Sequence, residues 1–214
     1  MGARNITNTA TYFKLRAKTS DTDPAPYFGR QVKHGDKYEI TEKYNAIDGI
    51  LTEISCESYQ FEGDTKWKCK MLLKDAVDSS SLRLESNFNN LLYGILNSFA
   101  NTEDFGVTIT VWLGKERDNG KQYPGASVMS LGTSQKVGWK FGADEIPKPK
   151  QVPVPGTKKT ILDDENVIAF WARVIVDINN RLRGTIQPVS PFPPNVMDGS
   201  LVPPAGDPHN DLPF

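Results

Sequence analysis

The residues from Thr65 to Lys74 alternate strictly between two chemical classes, and this alternation constrains the fold more than any other feature of the chain. Successive side chains of a β-strand point to opposite faces, so the segment predicts a strand with one buried and one solvated face. The apolar set is Trp67, Cys69, Met71 and Leu73, and the charged set is Lys66, Lys68 and Lys70.

The same two-residue period recurs on both sides of this strand and is interrupted once by a helical period. Strands are predicted at 11–18, 37–44, 47–59, 65–74, 81–85, 107–113 and 126–131, with 137–141 as a further candidate. Helical spacing of apolar residues begins after the 81–85 strand, where Asn87 is the expected N-cap, and the residues are Phe88, Leu91, Leu92, Ile95 and Phe99. The central order is therefore strand, strand, strand, helix, strand, strand.

The first central hairpin allows a register to be predicted. If Glu62-Gly63 is a two-residue turn, Cys56 lies opposite Cys69 and Glu57 lies opposite Lys68. Both cysteines then face the interior as reduced thiols. On the 47–59 strand we expect Ile50, Ile54 and Cys56 on the inner face, and Gly49 near its start is compatible with a β-bulge.

A Pro-rich linker at 144–160 precedes a second helix from about Asp164 to Arg183, capped by Thr160 or Asp163 and ended by Gly184. Its apolar stripe must be buried, either on the body of the protein or on a second copy, so a homo-oligomer through residues 161–184 is one expectation. The stripe consists of Val167, Ile168, Trp171, Val174, Ile175, Ile178 and Leu182.

Charge is distributed unevenly, although the net charge is only −1. Residues 1–160 hold 22 Lys and Arg against 19 Asp and Glu, whereas residues 161–214 hold 3 Arg against 7 Asp and Glu. From about Thr185 the chain is rich in Pro and has no Lys or Arg, so this tail is expected to be disordered. It ends in Asp211-Leu212-Pro213-Phe214, an apolar tip that a protein partner would bury.

Several classes of function find no support in the sequence. There is no phosphate-binding loop, no G-x-S-x-G and no H-E-x-x-H motif, and Asp163-Asp164-Glu165 fits a helix N-terminus better than a metal site. Two Cys and two His do not form a usual zinc site. We therefore expect no enzyme activity, no cofactor and no metal. The absence of a signal peptide or a long apolar run favours a cytoplasmic protein without a membrane segment.

Cations and aromatic residues are interleaved in the central part of the chain, a pattern typical of surfaces that hold single-stranded nucleic acid. Trp112 points away from the apolar face of its strand, so it either stacks bases or is covered by the N-terminal strands or the second helix. The candidate binding residues are Tyr59, Phe61, Lys66, Lys68, Lys70, Trp112, Lys115, Arg117, Lys121 and Tyr123.

The element order at 46–141 and the Asp211–Phe214 tip together resemble the bacterial-type single-stranded DNA-binding proteins. This resemblance implies an OB-fold, a partly open Greek-key barrel, that coats exposed strands in DNA replication, recombination and repair. It also implies that the tip, Asp211, Leu212, Pro213 and Phe214, recruits replication and repair proteins. The tip has fewer acidic residues than is usual, and the N-terminal strands and second helix point to a divergent version. A phage-encoded protein in the host cytoplasm is one possibility.

Alternatives remain open at this point. Another small α+β sheet domain fits the element order, and a strand-annealing accessory or an adaptor that binds no nucleic acid fits the composition. The expected organisation is an N-terminal strand extension (1–45), an OB-fold core (46–143), the Pro-rich linker (144–160), an amphipathic helix (161–184) and a disordered tail (185–214).

Overall fold

The computed structural model of this protein describes residues 10–17, 24–153 and 160–184, and it is mainly β with two helices. The elements, in chain order, are β1 (Thr11–Arg16), β2 (Tyr27–His34), β3 (Lys37–Tyr44), β4 (Ala46–Phe61), β5 (Asp64–Lys74), β6 (Ser81–Asn87), α1 (Asn90–Asn101), β7 (Gly106–Leu113), β8 (Pro124–Ser130), β9 (Lys150–Pro153), β10 (Thr160–Asp163) and α2 (Glu165–Leu182).

One strongly curled sheet contains the first eight strands, in the order β3-β2-β1-β6-β5-β4-β7-β8. Neighbours are antiparallel except for β1 and β6, which are parallel. Strands β4, β5 and β6 follow one another through short connections, and β7 returns through α1 to lie beside β4, which is a Greek-key arrangement. The curl brings β2 into contact with β4, although the two strands are not neighbours in the sheet.

The register predicted for the first central hairpin is confirmed. Cys56 pairs with Cys69 and Glu57 with Lys68. The turn residues Glu62 and Gly63 both have positive φ angles, 53° and 85°, as a type I′ turn requires. Both cysteines are free thiols, with Cys69 buried and Cys56 half-buried. A two-residue turn and alternating strands were therefore enough to predict this pairing.

A β-bulge makes one part of the β4 prediction wrong. The pairing of β4 with β5 shifts between Leu51 and Glu53, so the extra residue reverses which side chains point inward. Before the bulge Leu51 is buried while Ile50 is 48% exposed, and after it Ile54 is buried. Gly49 lies shortly before the bulge. A Cβ atom at Gly49 would stand 2.9 Å from the carbonyl oxygen of Lys74.

Helix α1 begins slightly later than its apolar period predicted. Asn89, not Asn87, is the N-cap, and its side chain accepts a hydrogen bond from the backbone N–H of Leu92 at 3.0 Å. Asn87 instead ends β6, and Phe88 precedes the helix. Of the predicted helical face, Leu91, Leu92, Ile95 and Phe99 are buried and Phe88 is half-buried.

Helix α2 packs on α1 and β4 of the same chain. The apolar stripe therefore lies against the body, not against a second copy of the protein. Asp164 is the N-cap, the Asp163 side chain accepts from the N–H of Glu165, and Gly184 follows the last turn with φ +71°. Phe170 is also buried, which its position beside the stripe did not predict.

Two polar side chains of α2 satisfy backbone groups beside it. The carboxamide of Asn179 accepts from the N–H of Ile54 at 3.0 Å and donates to its carbonyl at 2.6 Å, on the edge of β4 that β7 leaves open. Arg181 donates to the carbonyl oxygens of Phe99 and Thr102 at the end of α1. Arg181 is half-buried, and burial lowers its pKa.

Replacing Asn179 with leucine should lower the free energy of unfolding by about 2–3 kcal/mol, because it leaves two backbone groups of Ile54 without a partner. Asn179→Asp keeps the acceptor for the N–H but loses the donor, so an intermediate loss is expected. Urea unfolding followed by circular dichroism measures both. A leucine variant within about 0.5 kcal/mol of the native protein would show that the edge of β4 does not depend on this side chain.

Three further segments differ from the predictions. Residues 137–141 form no strand, because only an isolated bridge between Met129 and Lys136 reaches this region. Strand β2 had no predicted counterpart. Part of the Pro-rich linker pairs as the ribbon β9–β10, while residues 154–159 and the tail from Thr185 lie outside the described residues. Neither α1 nor α2, the helices of the described ranges, has the length and hydropathy to cross a membrane.

Candidate nucleic-acid interface

The two faces of the curled sheet have different surroundings. Both helices pack on one face, here called the inner face, and their side chains share a single core with residues such as Phe28, Ile54 and Met71. The opposite, outer face presents the alternate residues of each strand. On β5 these are Lys66, which is exposed, and Lys68 and Lys70, which are half-buried. The alternation of β5 therefore places its predicted cations on the outer face.

Acidic neighbours surround these lysines. One carboxylate oxygen of Glu57 lies 2.7 Å from the Nζ atom of Lys68, and the other lies 2.7 Å from the Nζ atom of Lys70. Lys68 also lies 3.8 Å from Glu85, which Lys14 of β1 approaches to 4.0 Å. We call these five residues the lysine–glutamate cluster. It contains three cations and two acids, so its positive charge is largely balanced.

The electrostatics of the cluster follow from these contacts. Hydrogen bonds from Lys68 and then from Lys70 lower the pKa of Glu57 to about 2. The same contact raises the pKa of Lys68. Because the folded-state pKa of Glu57 is depressed, its ion pairs stabilise the fold above its ordinary value of 4.5, and this stabilisation is lost as pH falls through about 2.

The aromatic residues of the hairpin also lie on the outer face. Phe61 is 54% exposed, at the end of β4. Tyr59 is half-buried, and the Lys68 ammonium stands 5.6 Å from the centre of its ring. Lys66 pairs with Asp64 at 3.1 Å beside them. The hairpin tip thus combines an exposed aromatic side chain with nearby cations.

The β7–β8 loop carries the remaining predicted cations on a well-organised turn. The N–H of Arg117 donates to the carbonyl of Lys121, and the amide of Asn119 donates to the Tyr123 hydroxyl at 3.0 Å. The Arg117 guanidinium stands 4.7 Å from the centre of the Tyr123 ring. Lys115, Arg117 and Lys121 are exposed.

Trp112 lies on the outer face of β7 and is 38% exposed. It sits opposite Gly125 of β8, where a Cβ atom would stand 2.7 Å from the indole ring, so the ring lies flat over this glycine. Helix α2 packs on the other face, and β1–β3 extend the other end of the strand order. Both elements proposed as covers for Trp112 therefore lie elsewhere.

The structure separates the predicted residues into two groups on one face. Ala46, at the start of β4, pairs with Thr110, so Trp112 and the β7–β8 loop lie beyond that end of the strand. Tyr59, Phe61 and the β5 lysines lie toward its other end. The two groups share the outer face but flank opposite ends of β4.

The outer face contains a third group that the sequence analysis did not select. Tyr12 of β1 pairs with Arg83 of β6, whose guanidinium is 5.2 Å from the tyrosine ring centre. Tyr27 of β2 has the Lys43 ammonium 4.9 Å from its ring centre. The alternation of Tyr12, Lys14 and Arg16 in the first strand was the available signal for this group.

A shallow hollow of ≈ 260 Å³ opens on the outer face beside the bulge of β4. It joins β4, β5 and β6, and its polar lining includes Glu53, Ser55, Lys70 and Arg83. Within the ranges that the structure describes, no group of three or more His, Cys, Asp or Glu is arranged to hold a metal ion.

The predicted partner-binding tip, Asp211 to Phe214, lies outside the described residues. The geometry of the body therefore bears only on the nucleic-acid part of the prediction. Comparisons with protein-family models, with curated proteins and with solved structures give no match for this chain.

Proposed function

We propose that this protein binds single-stranded DNA without sequence preference, through the outer face of its sheet, and so coats exposed strands during replication, recombination or repair. The observation that carries the proposal is the concentration of cations and aromatic side chains on this one face. Cations contact phosphates, and aromatic rings stack on bases of any sequence.

The fold supports the same proposal. Strands β4 to β8 with α1 form a Greek key in a curled sheet, and the OB-fold is a partly open Greek-key barrel that binds oligonucleotides on its second and third strands. Counted from β4, these strands are β5 and β6, which carry Lys66, Lys68, Lys70 and Arg83. We propose that β4–β8 are a divergent OB-fold. In this fold β1 pairs with the edge of β6 that lies opposite β5.

The test is fluorescence anisotropy with labelled (dT) and mixed-sequence oligonucleotides of equal length, with a matched duplex and an (rU) oligonucleotide, over several salt concentrations. We expect similar affinity for the two DNA single strands and weaker affinity for the duplex. Affinity should fall steeply as salt rises, because bound cations release condensed counterions. An (rU) affinity more than about tenfold above that for (dT) would assign the surface to RNA.

Two triple variants locate the binding surface. The first variant replaces Lys66, Lys68 and Lys70 with alanine and tests the hairpin group. The second replaces Lys115, Arg117 and Lys121 with alanine and tests the β7–β8 loop. Removing one cation that binds a phosphate should lower the salt slope by about 0.7, so the loop triple should lower it by about 2, and the hairpin triple, in which Glu57 holds Lys68 and Lys70, by about 0.7. A slope unchanged in both variants would place the strand elsewhere on the body.

The same measurements separate the alternative functions. An annealing accessory would also convert complementary single strands into duplex, which a mixing assay with two labelled strands detects. No binding to any oligonucleotide at low salt would overturn the proposal and favour an adaptor that contacts only proteins.

A further inference from the structure

We propose that β1, β2 and β3 form a second half of the strand-binding surface, with Tyr12 and Tyr27 as base-stacking platforms, so that a bound strand runs across the β-strands. This inference rests on the proposed function and adds a site to it. The three strands precede the Greek key, and none of the residues selected from the sequence belongs to them.

The outer face of the Greek key continues without interruption onto these strands. In the strand register, Lys70 of β5 lies opposite Glu85 of β6, and Glu85 lies opposite Lys14 of β1. Lys14 in turn lies opposite Gly29 of β2, and Gly29 lies opposite Lys43 of β3. Adjacent strands are ~4.8 Å apart, so this row crosses ~19 Å of sheet at right angles to the strands. Three of its five positions are lysines.

The charge balance differs between the two halves. Among the described residues, the outer-face positions of β1, β2 and β3 include no Asp or Glu, and Glu85 of β6 stands 4.0 Å from Lys14; on the other half, both Glu57 and Glu85 oppose the lysines of β5. The acids of β3 face inward, where Glu42 pairs with Arg30 at 3.1 Å. The cations on the outer face of the three strands are Lys14, Arg16, Lys33 and Lys43. A phosphate chain would meet less repulsion here than on the predicted half.

Stacking partners accompany these cations. Tyr12 is 39% exposed and has Arg83 at 5.2 Å from its ring centre, and Tyr27 has Lys43 at 4.9 Å. Tyr59 and Lys68 on the other half repeat this combination at 5.6 Å. In each pair the cation lies over the tyrosine ring, so a stacking base would take its place and the released cation would contact the adjoining phosphate. A ring-and-cation unit that recurs at separate positions of one continuous face fits a flexible single strand better than a rigid duplex.

The test compares binding of a labelled (dT) oligonucleotide to the full chain and to tyrosine variants. The double variant Tyr12→Leu, Tyr27→Leu should weaken binding by at least about fivefold per residue, because base stacking on each ring is removed. The double variant Tyr12→Phe, Tyr27→Phe keeps both rings and should bind like the native protein. Tyr44→Leu is the matched control, because Tyr44 is 41% exposed but lies on the inner face against Phe13.

Two readouts distinguish direct binding from a structural effect. Ultraviolet cross-linking to an oligonucleotide containing 5-iodouracil should modify peptides that contain Tyr12 or Tyr27. Arg16→Gln with Lys43→Gln should lower the salt slope by about 1.4. If the Tyr12→Leu, Tyr27→Leu variant binds (dT) like the native protein and the cross-links are confined to β4–β8, this inference is overturned and the proposed function stands. No (dT) binding by the native protein would overturn both.

Discussion

Replacing Trp171 with alanine should lower the free energy of unfolding by about 3–5 kcal/mol, the largest effect we expect from one substitution. Trp171 is fully buried at the centre of the contact between α1 and α2. Its ring stacks on Tyr93 at 5.4 Å and meets Phe170 and Phe141 edge-on at 5.1 and 6.5 Å. Truncation would leave a cavity that these rings fill only in part.

Urea unfolding followed by circular dichroism measures this effect without relying on tryptophan fluorescence. Trp171→Phe should cost less than about 2 kcal/mol, because the aromatic contacts remain and the buried indole N–H, which has no hydrogen-bond partner among the described residues, is removed. Trp112→Ala is the comparison on the outer face and should cost about 1 kcal/mol. Equal losses for Trp171 and Trp112 would contradict the packing of α2 against α1.

Replacing Glu57 with glutamine should tighten single-strand binding, because it frees both Lys68 and Lys70 from their ion pairs. If each lysine then contacts a phosphate, the salt slope steepens by about 1.4 in total. At 0.1 M salt this corresponds to about fivefold per lysine, or on the order of 25-fold together. Anisotropy titrations of a (dT) oligonucleotide at several salt concentrations measure both quantities.

Glu42→Gln is the matched control for this substitution. It removes one negative charge from another exposed ion pair, with Arg30, but on the inner face. Equal tightening in both variants would show a general effect of net charge, and no tightening at Glu57 would mean that the strand does not approach the lysine–glutamate cluster. Because the pKa of Glu57 is about 2, the ratio of affinities should stay constant when pH is lowered from neutral to about 5.

Several local features were predictable from the sequence for a clear reason. The β4–β5 hairpin depends on one two-residue turn and on alternation, and both act between neighbouring residues, so Cys56 and Cys69 pair as expected. The apolar stripe of α2 and its end at Gly184 are equally local. On β5 the buried side chains, Cys69, Met71 and Leu73, follow from the period.

Features that depend on distant partners were not predictable in the same way. A single extra residue in β4 reversed the direction of Ile50, because a bulge depends on the strands on both sides and not on the apolar pattern. The parallel pairing of β1 with β6 joins segments far apart in the chain, and it placed Tyr12 against Arg83. Strand β2, which carries Tyr27, had no predicted counterpart.

The sequence by itself determined the strand and helix periods, the turn at Glu62-Gly63 and the face on which the β5 lysines lie, because each depends on residues within a few positions of one another. Only the tertiary structure decided which charges meet. Glu57 balances Lys68 and Lys70, while the described outer-face positions of β1–β3 carry cations and no acidic residue of their own. The reason is that Coulomb interactions depend on distances in space, which the curled sheet and its strand order establish.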